Sequence, residues 1–152
     1  MRRALSLAFV SFVLFACKES TPPKADKVDP ACRSAEAISQ GTRLAAATDD
    51  ASPRFAVKVR GPGELALAGF VHKHSVRIID LGSSEVAAQA TTTVCTPSYV
   101  ALPTPEGGFA NYCVILEPLE KNGYSTFDLD FSGQKHEQVP AEQAAKLCGG
   151  AH

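Results

Sequence analysis

His72 and His74 stand one residue apart, and that spacing has a chemistry attached to it. On an extended strand, side chains two apart share a face. The pair could therefore offer two imidazoles to one metal ion, with His136 as a candidate third ligand. The rival reading is a solvated turn, which Lys73 between them suits. A second constellation is Asp128-Leu-Asp130-Phe-Ser132-Gly133, with oxygen donors at positions 1, 3 and 5 and glycine at 6, as in the opening of a calcium loop. Its second half is missing, because position 12 is Val139 rather than Glu and the segment before it reads as strand. The two aspartates are better read as the solvent face of that strand. For acyl chemistry there is no G-x-S-x-G elbow, and Gly82-Ser83-Ser84 is a generic turn. Gly61-Pro62-Gly63 lacks the rest of a phosphate-binding fingerprint. Spacing thus assigns no catalytic residue, metal site or cofactor. A triad assembled from distant residues would show only in the folded geometry.

The cysteines say more. Cys17 closes the run Leu14-Phe15-Ala16-Cys17, at the end of an apolar segment that begins behind Arg2 and Arg3. The segment covers residues 4–16. As a helix it would span only about 20 Å, short of the ~30 Å hydrocarbon core of a bilayer. Its length and basic front end fit a secretory signal instead. Basic residues, a short apolar run, a small residue and then cysteine resemble the lipobox of bacterial lipoprotein signal peptides. The resemblance covers residues 1–17 and no more. It implies cleavage before Cys17, attachment of acyl chains such as palmitate at Cys17, and a membrane as partner. Lys18 rather than Asp follows the cysteine, which in two-membrane bacteria implies the outer membrane, on its periplasmic side or at the cell surface.

Four cysteines remain: Cys32, Cys95, Cys113 and Cys148. An even number in a small exported domain predicts two disulfides. No pair has the C-x-x-C spacing of a zinc site. Cys95 and Cys113 are symmetric about Thr104, so a hairpin centred there would pair them and leave Cys32 to bridge Cys148. The competing connectivity is Cys32–Cys95 with Cys113–Cys148.

Removing residues 1–16 takes two of the 15 Lys+Arg and none of the 16 Asp+Glu, leaving 13 against 16, or −3. Such a mildly acidic surface argues against a nucleic-acid partner. The 136 residues left are enough for one domain.

Residues 17–29 are charged, contain Pro22-Pro23 and hold little apolar surface, so they read as a lipidated cysteine followed by a flexible tether. Residues 30–150 then form a single disulfide-stapled domain. Asp29-Pro30 is a helix start, and the Ala-rich run over 32–47 is predicted helical. From Arg54 the period becomes two. Phe55, Val57 and Val59 alternate with Ala56, Lys58 and Arg60. Further strands follow over 64–71, 75–81, 85–96 with an extension at 99–102, 109–116 and 124–131. Pro140 opens a short last helix. The expected fold is α+β, with the N-terminal helix packed on a curved antiparallel sheet of five or six strands. A small β-sandwich or partial barrel is the alternative. The expected function is a membrane-anchored envelope lipoprotein with a binding or structural role toward a protein, glycan or small ligand. An envelope hydrolase with a non-contiguous active site is the alternative.

Overall fold

The computed structural model describes residues 28–148. The expected signal peptide, lipidated Cys17 and nearly all of the tether lie outside the described residues, as does the side chain of Cys148.

The chain opens with a one-turn helix α1 (Pro30–Ser34) and a two-residue strand β1 (Glu36–Ala37). Strands β2 (Arg43–Thr48), β3 (Phe55–Gly61), β4 (Gly63–Ala68), β5 (His74–Asp80), β6 (Glu85–Thr91), β7 (Ser98–Leu102), β8 (Ala110–Pro118) and β9 (Ser125–Ser132) follow. Helix α2 (Ala141–Cys148) ends the described chain. The strands form two sheets, one of order β1-β3-β8-β5-β6 and one of order β2-β9-β4-β7. Among the described residues, only β1 and β3 pair in parallel; the other pairings are antiparallel.

This is a β-sandwich-like fold and not the α+β arrangement expected first. The inner faces meet over one core, with Val57, Val59, Val76, Ile78, Tyr112, Val114 and Leu116 from one sheet and Leu65, Leu67, Val100, Phe127, Leu129 and Phe131 from the other. Phe70 joins this core, stacked on Phe127 at 4.7 Å. The period of two that marked the strands is the alternation between this core and the two outer faces.

The long first helix is the main error. Asp29 does cap α1, accepting from the Ala31 N–H at 3.0 Å, and Pro30 takes the first helical position. The helix then stops at Ser34. Gly41 has φ +86°, a left-handed conformation natural to glycine, and the chain turns there into β2. Alanine favours helices in isolation, but that preference is small and yields to tertiary pairing. Here Leu44, Ala46 and Thr48 alternate inward and β2 is hydrogen-bonded along β9 over its whole length.

The cysteine pairing also differs. Cys32 is bonded to Cys113, with Cα atoms 5.8 Å apart, so neither expected connectivity holds. The hairpin centred on Thr104 does not exist. β7 pairs with β4 while β8 pairs with β3 and β5, so the segment between them crosses from one sheet to the other. Cys95 lies in the β6–β7 connection with φ +63°, not on a strand, and is itself disulfide-bonded. The Cys32–Cys113 bridge fastens α1 to the outer face of the five-stranded sheet. A second small core forms there from Cys32, Ile79, Cys113 and Ile115, with Val28, Ala31, Ala56 and Leu81 against it. That cover explains why β8 is buried on both faces from Tyr112 to Leu116.

Candidate functional site

The outer face of the four-stranded sheet carries a groove of about 690 Å³. Register builds it. Arg43 on β2 lies opposite Asp130 on β9, Asp130 opposite Ala66 on β4, and Ala66 opposite Tyr99 on β7. One step along, Ala45, Asp128 and Ala68 make a second row. Alanines at 45, 66 and 68 leave a low floor between taller polar side chains. The trough continues past Ala47, Thr126 and Gly69.

After β9 the chain folds back over this face as a strap, residues 133–140. Glu64 on β4 holds it down. One of its carboxylate oxygens accepts from the His136 backbone N–H at 2.7 Å and lies 3.1 Å from His136 Nδ1. Both side chains are mostly buried, His136 at 13% exposure and Glu64 at 10%. Tyr99 makes the second fastening: its hydroxyl donates to the Glu137 carbonyl at 3.4 Å and accepts from the Val139 N–H at 3.1 Å. His136 Nε2 points toward Asp130 Oδ1 at 3.7 Å, too far for a hydrogen bond, and makes no hydrogen bond elsewhere. Asp130 is instead paired to Arg43 Nε at 2.8 Å. The lining thus presents the carboxylates of Asp128, Asp130 and Glu137 and the single guanidinium of Arg43. It is rich in acceptors and holds no serine, threonine or cysteine.

The structure separates most of the residues whose spacing suggested chemistry. His74 is fully buried and its Nε2 meets Thr48 Oγ1 at 2.7 Å, while Nδ1 meets the His72 carbonyl at 2.9 Å. A carbonyl only accepts, so Nδ1 carries the proton and Nε2 accepts from the threonine. Burial among Phe70 and Phe127 pushes its pKa down, against the opposing effect of the His72 carbonyl. His72 lies in the preceding loop, half exposed and 3.9 Å from Glu120. The two histidines therefore face different surroundings, and His136 lies on the strap over the other sheet. The turn reading fits His72, which is half exposed in the loop, and not His74, which is buried on β5. Among the described residues, no group of three or more His, Cys, Asp and Glu is placed to hold a metal ion. Asp128 and Asp130 lie on the outer face of β9, with Ser132 at its end bonded to the Gln134 N–H. Ser83 sits in the β5–β6 turn, which Asp80 organises by accepting from the Gly82 and Ser83 N–H groups.

Sequence reasoning missed Glu64, Tyr99 and Arg43. One signal was present. In Gly63-Glu64-Leu65-Ala66-Leu67-Ala68 the leucines point inward, so Glu64 shares the outer face with two alanines, and β2 repeats small residues at 45 and 47.

A second charged cluster fixes the start of the domain. Asp29 meets Arg54 Nη2 at 2.9 Å and Arg77 Nη2 at 3.6 Å, and Glu117 meets the same two arginines at 3.5 and 3.6 Å. Burial alone would raise the Asp29 pKa; the Ala31 N–H and the two guanidinium groups outweigh it and hold the carboxyl below its usual value.

No family model matches the chain, and no curated protein matches it in sequence. Among solved structures it is similar to the pre-peptidase C-terminal domain of a collagenase from Bacillus anthracis, at 9% identity and a TM-score of 0.47, over 64% of this chain and 94% of that one.

Proposed function

We propose that this chain is a lipid-anchored binding protein of the cell envelope. Cys17 carries the lipid, and the groove over β2, β9, β4 and β7 receives the ligand. The anchoring rests on the order of residues at 1–17. The binding role rests on the groove: an alanine floor, a ring of hydrogen-bond acceptors and Tyr99 at one wall. Such a lining suits a ligand that donates hydrogen bonds, either polyhydroxylated or amine-bearing. The Cys32–Cys113 bridge suits an oxidising compartment.

The hydrolase alternative draws on one observation, the carboxylate-oriented imidazole of His136 with its Nε2 unpaired. Geometry weighs against it. The His136 Nε2 atom is buried within the strap, and no serine, threonine or cysteine lines the groove beside it.

Two measurements test the proposal. Intact mass of the membrane fraction should give residues 17–152 plus acyl groups; an unacylated product starting elsewhere refutes the anchor. Amide shifts of the ¹⁵N-labelled chain should be followed against a panel of neutral sugars and amino sugars. Shifts clustered at Ala45, Ala66, Tyr99 and Asp128, and lost in Asp128→Ala, support the groove. No shift there with any member overturns it.

A further inference from the structure

The described chain begins at one particular end of the sandwich. Asp29 is fixed by Arg54, just before β3, and by Arg77 of β5, and both arginines also reach Glu117 near the end of β8. Pro118 closes that strand and Leu119 follows it. The Leu119 N–H donates to the Lys73 carbonyl at 3.0 Å, which brings loop 119–124 against loop 69–73. Val71 in the second loop is 61% exposed and Leu119 is 55% exposed. The chain therefore joins the domain at the end that carries two large apolar side chains in water. Phe109, 64% exposed, lies at the opposite end of β8. Strand geometry puts it about 30 Å from Leu119.

Resting on the lipid anchor proposed above, we infer that this end of the sandwich lies on the membrane surface, with Val71 and Leu119 seated at the headgroup–acyl boundary. The argument is one of chain length. Residues 18–27 separate Cys17 from Val28, which is packed against the second small core, and a random coil of that length would have a mean reach of about 20 Å. That is shorter than the domain. The end where the tether joins is held near the bilayer, while the Phe109 end reaches it only if the tether spans about 30 Å, well beyond its mean reach and most of its limit of about 38 Å. Charge does not drive the contact. Lys73 and Lys121 in these loops are offset by Glu120 and by Asp49 and Asp50 of the adjoining β2–β3 connection, so no net positive charge faces anionic headgroups. Tether length and the two apolar side chains set the orientation. It leaves the groove on the outer face of the four-stranded sheet, away from α1 and open to a ligand.

The chain contains no tryptophan, so single substitutions report depth directly. Val71→Trp, Leu119→Trp and Phe109→Trp change exposed positions only. Each full-length acylated protein is placed in vesicles of phosphatidylethanolamine and phosphatidylglycerol bearing brominated acyl chains. Fluorescence of the Val71→Trp and Leu119→Trp proteins should fall by about half, since side chains at the boundary lie about 5–10 Å into it, and the Phe109→Trp protein should be unchanged. Equal quenching of all three, or stronger quenching for Phe109→Trp, in an acylated and vesicle-bound chain refutes this orientation alone. An unacylated chain that stays in the supernatant refutes the anchor and the orientation with it. Protection of the Leu119→Trp indole from a soluble quencher without any quenching by brominated lipid assigns this end to a protein partner or a second copy, and overturns the inference.

Discussion

Acidification should weaken this domain through His74, and the size of the effect follows from its surroundings. The imidazole has no exposed surface and is packed against Phe70 at 5.0 Å and Phe127 at 6.4 Å. In its neutral form both nitrogens are satisfied, by the His72 carbonyl and the Thr48 hydroxyl. A proton on Nε2 would reverse the threonine hydrogen bond and place a charge in an apolar core. Burial accordingly depresses the folded pKa below the unfolded value of 6.5. A depressed histidine pKa contributes stability that is fully present above pH 6.5. It is lost as the pH falls from there toward the folded pKa, because only the unfolded chain takes up the proton. The loss between pH 7.5 and 5.5 is at most about 1.4 kcal/mol, the limit for a histidine that stays neutral in the fold throughout. For a domain of this size that corresponds to about 5 °C in Tm. Other groups on the domain also respond to pH, so the comparison must be with a variant. His74→Phe keeps the aromatic packing and removes the titration, at a fixed cost of about 1–3 kcal/mol for the unpaired, buried Thr48 hydroxyl. His74→Phe combined with Thr48→Val recovers part of that cost. Urea unfolding midpoints between pH 7.5 and 5.5 should fall more steeply for wild type than for either variant. Parallel pH profiles would show that the imidazole charges without penalty and that the reading of its burial is wrong.

Two further outcomes follow from the bridges and the sheet register. Non-reduced peptide mapping should return Cys32–Cys113 and Cys95–Cys148: Cys95 is disulfide-bonded, Cys32 and Cys113 are paired with each other, and Cys17 is reserved for lipid. A peptide joining Cys17 to Cys95 would refute both that pairing and the anchor. Gly63→Ala should cost about 1–3 kcal/mol, because a Cβ there would stand 2.6 Å from the Ser132 carbonyl oxygen and 2.7 Å from the Phe131 ring, forcing β4 away from β9. Gly107→Ala, with nothing within 4 Å of the added carbon, serves as its control, and equal denaturant midpoints for the two would contradict the close approach at Gly63.

The strands were legible because their apolar residues alternate, and alternation is a local property. Phe127, Leu129 and Phe131 declare β9 without reference to any other segment. The layers were not legible, because nothing local says which strand a given strand will pair with. Two neighbours in sequence, β7 and β8, look like a hairpin around a Pro-Gly-rich break, yet they belong to different sheets. The disulfide error follows directly from that step, since Cys95 and Cys113 face each other only if the hairpin exists. The helix error has another origin. In 43–48, alanine satisfies a helix pattern and a strand pattern equally well. The decision falls to β9, which offers β2 a full set of backbone partners about eighty residues later in the chain.

The groove shows the same division between parity and pairing. Its parity was readable, because Glu64, Ala66 and Ala68 must share a face if Leu65 and Leu67 are buried. What occupies that face was not. Glu64 and His136 are 72 residues apart, and they meet only because β4 lies beside β9 and the chain leaving β9 doubles back over both. Small residues on the outward positions of neighbouring strands are the sequence trace of such a trough. Larger side chains there would fill it, and the acceptors of Asp128 and Asp130 would then face open solvent. The reading makes Ala66 a positioning residue for the groove. It lies between Asp130 and Tyr99, so a bulky side chain at 66 would close the groove while leaving the core beneath it, built from Leu65 and Leu67, unchanged.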